Sequence, residues 1–562
     1  MDKTYLKNTA ILFASMTITK IVGAVFKIPL ANILGGTGMG YFSTAYGLYS
    51  PIFALTAAGI PTVLMRLTAQ NIASNRHENA MKTRRTALLL FAFVGLAGTL
   101  AVALFSSFFA SHIACSPEST PAVIAISPAV MLCCIASVIR GYHEGLSDVI
   151  PSAKAAVAEA VSRAIFGLAL SYGVVFWGKS RFECGMDIFG KNYANYEEAY
   201  TSLLPIAAAG AVLAVSLSEL CGLISLLISD RKTRRREFMD ITPTERKRTI
   251  CFRLIKEILP VAASALVMNC VGFVDLLTVT RTLKYATKVN SAFFAREFSS
   301  AVSSCGGIEG LANFMYGSYS GISMTMFMLI PAFAGMTEKT AIPEITAAWE
   351  RKDIRAAADG CCTLLRAAST IGFPACLGAA ALSRPLLDLL YSSRSAELSV
   401  CSDGFAVLCL GGIFMITGSA LFGVFQAIGK AYIPLVLMTC AVAVKAVLNP
   451  ILMSVPMVNI TGAAVSTAAG YMIIAVIGSV ILSRQLSSEI SVMRCVFKPF
   501  VSAVLCAGTA RVVYCLTGSG LHKPFNVVLS VLAGALVYGI SLILAGDFRK
   551  NRQLIKIGKK KS

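Results

Sequence analysis

Apolar residues run along this chain in blocks of about twenty, and short polar segments separate the blocks. A helix rises about 1.5 Å per residue, so a block of this length can cross the ~30 Å hydrocarbon core of a bilayer. A membrane β-barrel is disfavoured, because its strands are short and alternate apolar with polar residues. The pattern predicts an all-α polytopic membrane protein with about fourteen transmembrane helices, near residues 9–32, 42–67, 86–110, 120–142, 152–177, 202–229, 255–280, 311–336, 361–382, 403–427, 433–455, 459–482, 496–516 and 525–546.

Composition supports a membrane protein, and the charges give it an orientation. The 562 residues are 56% hydrophobic and 14% charged, and the mean hydropathy is +0.71. If the N-terminus is cytoplasmic, about 33 of the 50 Lys and Arg residues fall at the termini and in the even-numbered loops, against about 9 in the odd-numbered loops. This asymmetry predicts a multi-pass membrane protein with both termini in the cytoplasm.

Two basic clusters contribute much of the net charge of +21. One is DRKTRRREFMDITPTERKRTI (230–250), and the other is the tail at 549–562. Neither alternates with aromatic residues that could stack on bases. We therefore predict contacts with anionic lipid head groups and no nucleic-acid partner.

The two halves of the chain resemble each other. YGLYS (46–50) matches YGSYS (316–320), and RGYHEGLSDVIPSA (140–153) matches FGVFQAIGKAYIPLV (422–436) with one insertion. This predicts two six-helix lobes in a parallel pseudo-repeat, arranged around a central cavity. The predicted domains are an N-terminal six-helix lobe at 1–229, a basic cytoplasmic linker at 230–253, a C-terminal six-helix lobe at 254–483, two additional transmembrane helices at 484–548 and a basic cytoplasmic tail at 549–562.

Two lysines interrupt the first apolar block, TITKIVGAVFKIPL (17–30). A charge at the bilayer centre costs about 2.5–3.5 kcal/mol on insertion scales, so such a side chain should face the protein interior or a wet cavity. Lys20 and Lys27 are about two helical turns apart, and they share a face with Gly23 and Ala24 between them. We predict that both lysines line a cavity; the alternative is that they snorkel to the two membrane interfaces.

Other basic residues also fall in or beside predicted spans. Arg66 lies near the inner end of the second span, and Lys445 occupies nearly the place in the second repeat that Arg163 occupies in the first. Glu159 and Arg163 have i, i+4 spacing, so they form either part of a functional site or a mutually neutralising structural pair. The predicted substrate-binding residues are Lys20, Lys27, Arg66, Arg163 and Lys445.

Acidic side chains are fewer in the spans. Asp275 and Arg281 lie in the outer part of the seventh span, and together with Glu159 they are predicted ion-coupling residues or structural pairs. Glu219 is predicted to be an interhelical hydrogen-bond partner. The net charge of these residues in the predicted spans is positive, which favours an anionic substrate such as a phosphate or pyrophosphate group.

Motifs of catalysis and metal binding were not found in the sequence. The chain has no G-x-x-x-x-G-K-[ST] phosphate loop, and its four histidines are not spaced as a metal site. We therefore predict no enzyme activity, no cofactor and no metal. GGTGMG (35–40) predicts a glycine-rich turn between the first two spans.

The seventeen cysteines include no C-x-x-C motif. The adjacent pairs at 133–134 and 361–362 predict small apolar packing residues. Four other cysteines would face the outside under the predicted topology, either as free thiols or in a disulfide: Cys115, Cys184, Cys305 and Cys401.

The segment KIVGAVFKIPLANILGGTGMGYFSTAYGLYSPIFALTAAGIPTVLMRLTAQ (20–70) closely resembles the start of a known family. This family is the stage V sporulation protein B and polysaccharide-exporter group of the multidrug/oligosaccharidyl-lipid/polysaccharide flippase superfamily. R-G-Y-x-x-G-x-x-x-x-x-P-[ST]-A at 140–153, F-x-A-x-G-K at 425–430 and VDLLTVTRTL at 274–283 resemble the same group. The resemblance covers most of the chain and leaves the transported glycan open.

The resemblance implies a fold of fourteen helices in two lobes around a V-shaped cavity, and transport by alternating access. The substrate would be a polyprenyl-pyrophosphate-linked glycan, either a lipid II-like wall precursor or a polysaccharide repeat unit. Related flippases carry basic cavity residues in their first two helices. The matching basic residues in this sequence are Lys20, Lys27 and Arg66. Some lipid II flippases carry a further basic residue that has no counterpart in YGSYSGISM (316–324). The resemblance also implies a location in the bacterial plasma membrane. We predict a monomer.

Three alternatives belong to other functional classes. A multidrug or cation antiporter of the same superfamily would need an acidic or aromatic cavity. A membrane glycosyltransferase would need catalytic carboxylates in an outer loop, and the acidic loop at 182–200 lacks a recognisable paired spacing. A membrane scaffold that transports nothing is the third alternative.

Overall fold

The computed structural model describes residues 3–233, 245–486, 491–517 and 523–544. Within these ranges the secondary structure is helical, and the only extended pairing is an isolated bridge between Ile188 and Lys191. A helix satisfies its backbone hydrogen bonds internally, as the bilayer interior requires. This confirms the all-α prediction. The middle of the predicted basic linker and the basic tail lie outside the described residues.

The chain forms two compact units, Met1–Gly321 and Ile322–Ser562. A π-helical segment, Tyr319–Ser323, crosses the division. In the first unit, Phe109–Ile113 is π-helical and Pro117–Ser119 is 3-10 helical. The α-helices of the first unit are α1 (Lys3–Ala73), α2 (His77–Leu104), α3 (Ser106–Phe108), α4 (Thr120–Gly145), α5 (Ile150–Glu183), α6 (Tyr196–Thr233), α7 (Lys247–Val289), α8 (Ser291–Glu297), α9 (Ser299–Ser304) and α10 (Ile308–Ser318).

The second unit contains two short helices and seven longer ones. They are α11 (Met324–Ala334), α12 (Met336–Glu350), α13 (Ile354–Ala381), α14 (Ser383–Leu390), α15 (Ser395–Ala427), α16 (Tyr432–Met453), α17 (Thr461–Gln485), α18 (Val492–Thr517) and α19 (Lys523–Leu544). The last two helices pack onto α13. Arg511 Nη1 donates a hydrogen bond to Ala381 O at 3.3 Å, and Tyr538 OH donates to Thr370 O at 2.8 Å.

The described residues include eleven helices long and apolar enough to cross a membrane. The two halves of α7 meet at a bend of 53° and together form a further candidate span. The chain is therefore a multi-pass membrane protein. The number of fourteen spans stays a prediction, because α1 is long enough for more than one span and α10 and α11 are each short.

The first helix folds back on itself at Gly35. Along a straight helix, Lys27 and Tyr46 would be about 28 Å apart, yet Lys27 Nζ lies 6.0 Å from the centre of the Tyr46 ring. Gly35 has φ 61° and ψ −173°, a left-handed conformation that favours glycine. The predicted turn at GGTGMG is thus confirmed, and α1 has a first arm before Gly35 and a second arm after it.

The glycines of this turn pack directly against α10. A Cβ at Gly40 would lie 2.5 Å from Asn313 Oδ1, and a Cβ at Gly317 would overlap the carbonyl oxygen of Gly36. Asn313 Nδ2 donates to Thr37 O at 3.0 Å. The two backbones therefore approach as closely as small residues allow, which is how membrane helices gain van der Waals contact.

A buried ion pair joins α2 to α6, with α4 beside it. Arg84 Nη2 lies 2.5 Å from Asp230 Oδ2, and His143 Nε2 lies 3.5 Å from Asp230 Oδ1. The Arg84 guanidinium also lies 4.8 Å from the centre of the Tyr142 ring. Because all three ionisable side chains are buried, this cluster fixes the ends of the three helices relative to one another.

The predicted repeat has matching helix junctions. Four residues separate α4 from α5, and four separate α15 from α16. Each junction contains a residue with positive φ, Ser147 at 60° in the first and Gly429 at 75° in the second. The lobes were predicted from this sequence repeat, whereas the compact units are defined by packing, so the lobe boundaries stay a prediction.

One disulfide corrects the interpretation of the cysteine pairs. Cys362 of α13 is bonded to Cys495 of α18, with the two Cα atoms 5.5 Å apart. Cys361, Cys133 and Cys134 are free and buried, as expected for packing residues. The four cysteines predicted to face outside are also free. Adjacent sequence positions do not reveal that α13 and α18 meet at Cys362.

Replacement of Cys495 by serine should lower the free energy of unfolding by about 2–4 kcal/mol, because the bond closes a long loop. The matched control is Cys440→Ser, which removes an exposed free thiol. Thermal unfolding of both variants in detergent tests the expectation, together with alkylation of the denatured protein before and after reduction. Equal unfolding temperatures in the two variants, or a Cys495 that is alkylated without reduction, would contradict it.

Candidate functional site

Five charged residues of the first unit come together from α1, α4, α5 and α6. We call this set the charge network; it consists of Lys27, Arg140, Glu159, Arg163 and Glu219. Charges inside a membrane helix bundle are costly, so they pair with one another or mark the path of a substrate. The network contains three cations and two carboxylates.

Arg163 joins α5 to α6 within this network. Its Nε donates to Ser218 Oγ at 3.2 Å, and its Nη2 donates to Glu219 Oε1 at 3.4 Å. Glu219 is buried and also accepts a hydrogen bond from Tyr49 OH at 3.5 Å. The side chain of Arg163 remains 28% exposed. Arg163 therefore contacts a buried carboxylate and is also partly accessible. Its exposed guanidinium N–H groups can donate to a ligand.

Glu159 pairs with Arg140 of α4. The predicted i, i+4 pair of Glu159 and Arg163 is not what the structure shows, because each has a different partner. Glu159 lies over α6 where that helix has Gly222, and a Cβ at Gly222 would overlap the carboxylate. A glycine on α6 thus makes room for the buried pair.

Lys27 projects from the first arm of α1 toward the second arm. Its ammonium lies 6.0 Å from the centre of the Tyr46 ring, a cation–π distance. The charges of Lys27 and Arg163 also act on each other. Two cations held close together favour an anion between or beside them.

The second arm of α1 carries a row of neighbouring aromatic rings, one of which lies next to Lys27. Successive ring centroids along the stripe Phe42, Tyr46, Tyr49 and Phe53 are 5.9, 6.2 and 5.6 Å apart. The residues recur at helical spacing, so they fall on one face. This spacing in the sequence is the signal that could have identified Tyr46 and Tyr49 as parts of the site.

The remaining predicted site residues of α1 lie outside the charge network. Lys20 is exposed, and it lies about two helical turns before the half-buried Lys27. A Cβ at Gly23, between the two lysines, would meet nothing within 4 Å. Arg66 is exposed and forms an ion pair of 2.5 Å with Glu257 of α7. Arg66 thus joins the second arm of α1 to α7.

Asp275 and Arg281 have different environments on α7. Asp275 is 5% exposed and interacts electrostatically with Tyr316 of α10. Arg281 is exposed. The structure does not bring these two residues into the charge network, and their role in ion coupling stays a prediction.

Lys445 lies in the second unit and is 2% exposed. It is thirteen residues beyond Tyr432, the first residue of α16, and Arg163 is thirteen residues beyond Ile150, the first residue of α5. The two cations thus occupy the same helical position in the two repeats. On α16, the position that matches Glu159 holds Ala441, so the carboxylate has no counterpart there.

Sequence reasoning missed Arg140, although it opens the R-G-Y motif. Its partner is nineteen residues away on the next helix, a separation that no local spacing rule detects. The predicted role of Glu219 as an interhelical hydrogen-bond partner agrees with its contacts to Arg163 and Tyr49. The assembled site is a cationic patch beside aromatic rings.

Comparisons with known proteins agree with this picture. The family described as "Polysaccharide biosynthesis protein" matches residues 5–191. Stage V sporulation protein B of Bacillus subtilis (strain 168) is 23% identical over 556 residues, which cover 98% of this chain and 97% of the relative.

Two solved structures share the fold. The lipid II flippase MurJ in an inward closed conformation superposes with a TM-score of 0.67 at 15% identity, covering 96% of this chain and 99% of that chain. An inward-facing multidrug resistance MATE family transporter of the MOP superfamily superposes with a TM-score of 0.60 at 16% identity, covering 84% and 95%. Together the sequence and the fold agree with the resemblance to the stage V sporulation protein B and polysaccharide-exporter group, and the chain is a multi-pass membrane protein that shares the fold of these two transporters.

Proposed function

We propose that this chain moves a polyprenyl-pyrophosphate-linked glycan from the inner to the outer leaflet of the bacterial plasma membrane. The observation that carries the proposal is the charge network, in which Lys27, Arg140 and Arg163 exceed the carboxylates of Glu159 and Glu219. An excess of cations inside the bilayer favours an anionic substrate. A multidrug or cation antiporter would need the opposite sign.

A pyrophosphate fits the donors that the site offers. Guanidinium groups bind phosphate oxygens through two parallel hydrogen bonds, while an ammonium acts as a point charge. Arg163 and Lys27 supply one of each. The half-buried ring of Tyr46 lies 6.0 Å from the Lys27 ammonium and provides an aromatic face suitable for the apolar face of a sugar ring.

Transport by alternating access requires a contact that can open and close. In the predicted topology, the turn of α1 lies at the outer end of the protein, and α10 includes the outer part of the predicted eighth span. The contact of Gly36 and Gly40 with Gly317 would close the outer side and would separate when the glycan leaves. Asp275, buried on α7 near this contact, is our candidate for coupling to an ion.

Complementation tests the proposal directly. The chain is expressed in a bacterium whose only lipid II flippase can be switched off. Wild type should restore growth, and Lys27→Ala should reduce rescue by about tenfold or more, because one charge-assisted phosphate contact contributes about 1.5–3 kcal/mol. The control is Lys179→Ala, an exposed lysine of α5 that pairs with Glu183, and it should rescue as wild type does.

Each result has a distinct meaning. Rescue by wild type and by Lys179→Ala alone supports a lipid-linked wall precursor and a phosphate site at Lys27. Equal rescue by Lys27→Ala at matched membrane levels overturns the site while the function stands. If wild type is well expressed but does not rescue, the substrate is not lipid II, and the same assay is repeated in a strain that lacks a polysaccharide exporter.

A further inference from the structure

A cavity lies at the end of the first unit that is predicted to face outward, and we call it the outer cavity. Its volume is about 1090 Å³, which suits a ligand the size of a sugar or larger. Its walls come from Tyr41 and from the segments 115–118, 193–205, 280–284 and 303–313. These segments belong to three predicted outer loops and to the helix ends beside them, so the cavity is separate from the charge network.

The walls of this outer cavity are acidic. Four carboxylates line it from three separate elements: Glu118, Glu197, Glu198 and Glu309. One ammonium, Lys284, also lines it, and its Nζ donates to Cys115 O at 3.4 Å. Burial raises the pKa of the Cys305 thiol to about 11, so this thiol is neutral near pH 7. The charge of the cavity is therefore set by its carboxylates and is negative.

Two further features of the wall indicate a ligand. Tyr41, Tyr193 and Tyr196 line the cavity, and tyrosine rings attract organic cations through their faces. Thr280 also lines the cavity and is 1% exposed, and its hydroxyl has no hydrogen-bond partner among the described residues. A buried hydroxyl left unpaired costs about 1–3 kcal/mol, so Thr280 would gain from a ligand hydroxyl.

We propose that the outer cavity binds a primary ammonium group on a hydroxyl-rich head group, as in an amino sugar. The carboxylates and the faces of the tyrosine rings bind the ammonium, and Thr280 pairs with a hydroxyl. Carboxylates from several elements around so wide a cavity suit an organic cation better than a metal ion, which needs oxygens at 2.3–2.6 Å.

The identity of the natural ligand rests on the proposed function. If the chain carries a lipid-linked glycan outward, the pyrophosphate is bound by the basic charge network and an amine-bearing part of the head group by the acidic outer cavity. The opposite signs of the two sites fix the direction in which the head group points.

Calorimetry on the full-length protein tests the cavity without any transport. The protein is kept in a non-ionic polyoxyethylene detergent, because glycoside and choline detergents would compete. D-Glucosamine should bind with a Kd in the millimolar range, and N-acetyl-D-glucosamine, which lacks the charge, should bind about tenfold more weakly. The affinity for glucosamine should fall as NaCl is raised, because the carboxylates are exposed to solvent.

Two variants locate the site. Glu197→Gln together with Glu198→Gln should weaken glucosamine binding by about tenfold; the control is Glu183→Gln, an exposed glutamate of α5 outside the cavity. Thr280→Val should weaken binding by about threefold or more without lowering the unfolding temperature, because the hydroxyl has no partner to lose. A purely structural threonine would not give this combination.

The outcomes separate this inference from the proposed function. Equal binding of the two sugars, no binding of glucosamine, or unchanged binding in the glutamate variant overturns the cavity assignment, even if complementation succeeds. Specific glucosamine binding that is lost in the variants supports the assignment, even if the lipid II strain is not rescued.

Discussion

Gly317→Ala is expected to abolish transport and to lower the unfolding temperature. A Cβ at this position would overlap the Gly36 carbonyl oxygen and the backbone of Gly40. Overpacking by a methylene costs about 1–3 kcal/mol when side chains can adjust. Here the obstacle is backbone, so α10 must move away from the turn of α1, and the proposed outer closure is lost.

A thiol-reactive dye reports this unfolding well, because several cysteines of the described chain are buried and free. The control is Gly173→Ala on α5, where a Cβ meets nothing within 4 Å. That substitution should leave stability unchanged or raise it by up to about 1 kcal/mol, since alanine is the better helix former. Wild-type stability and full complementation by Gly317→Ala would show that α1 and α10 do not approach as closely as described.

Arg140→Met should lower the free energy of unfolding by about 3–5 kcal/mol, because it leaves Glu159 buried without its cation. The two side chains are 18% and 11% exposed, so water can replace little of the lost interaction. Glu159→Met should cost a similar amount by leaving Arg140 unpaired. Thermal unfolding of both variants at matched detergent concentration measures the effect.

The double variant Arg140→Met with Glu159→Met distinguishes a structural pair from a transport residue. Replacement of both partners by apolar groups of similar size is often neutral for stability. We therefore expect the unfolding temperature to recover. Recovered stability with lost complementation would assign the pair to the substrate path, and recovery of both would make it structural. A double variant as unstable as the single ones would contradict a direct interaction.

The architecture could be predicted because membrane insertion imposes simple rules on sequence. Apolar blocks of helical length and a glycine-rich turn at 35–40 were sufficient for the all-α fold and the hairpin of α1. The repeat also placed Lys445 and Arg163 at one helical position. These features depend on local pattern or on internal similarity, which a single sequence contains.

The pairing of the charges could not be predicted. Local spacing suggested Glu159 with Arg163, whereas the packing of α5 against α4 and α6 pairs Glu159 with Arg140 and Arg163 with Glu219. The i, i+4 interaction is worth only about 0.2–0.5 kcal/mol, so tertiary packing decides the partner. The bond between Cys362 and Cys495 depends in the same way on which helices meet.

The fold-back of α1 at Gly35 has a consequence for how the protein is made. A lysine that enters a bilayer on a lone helix meets a cost of about 2.5–3.5 kcal/mol at the centre. A ring beneath the ammonium returns about 0.5–2 kcal/mol, and for Lys27 that ring belongs to Tyr46, on the other arm of the same hairpin. Insertion of the two arms of α1 together, as a helical hairpin, therefore lowers the free-energy cost of placing Lys27 in the bilayer. The Tyr46 ring covers the ammonium before any later helix has been synthesised.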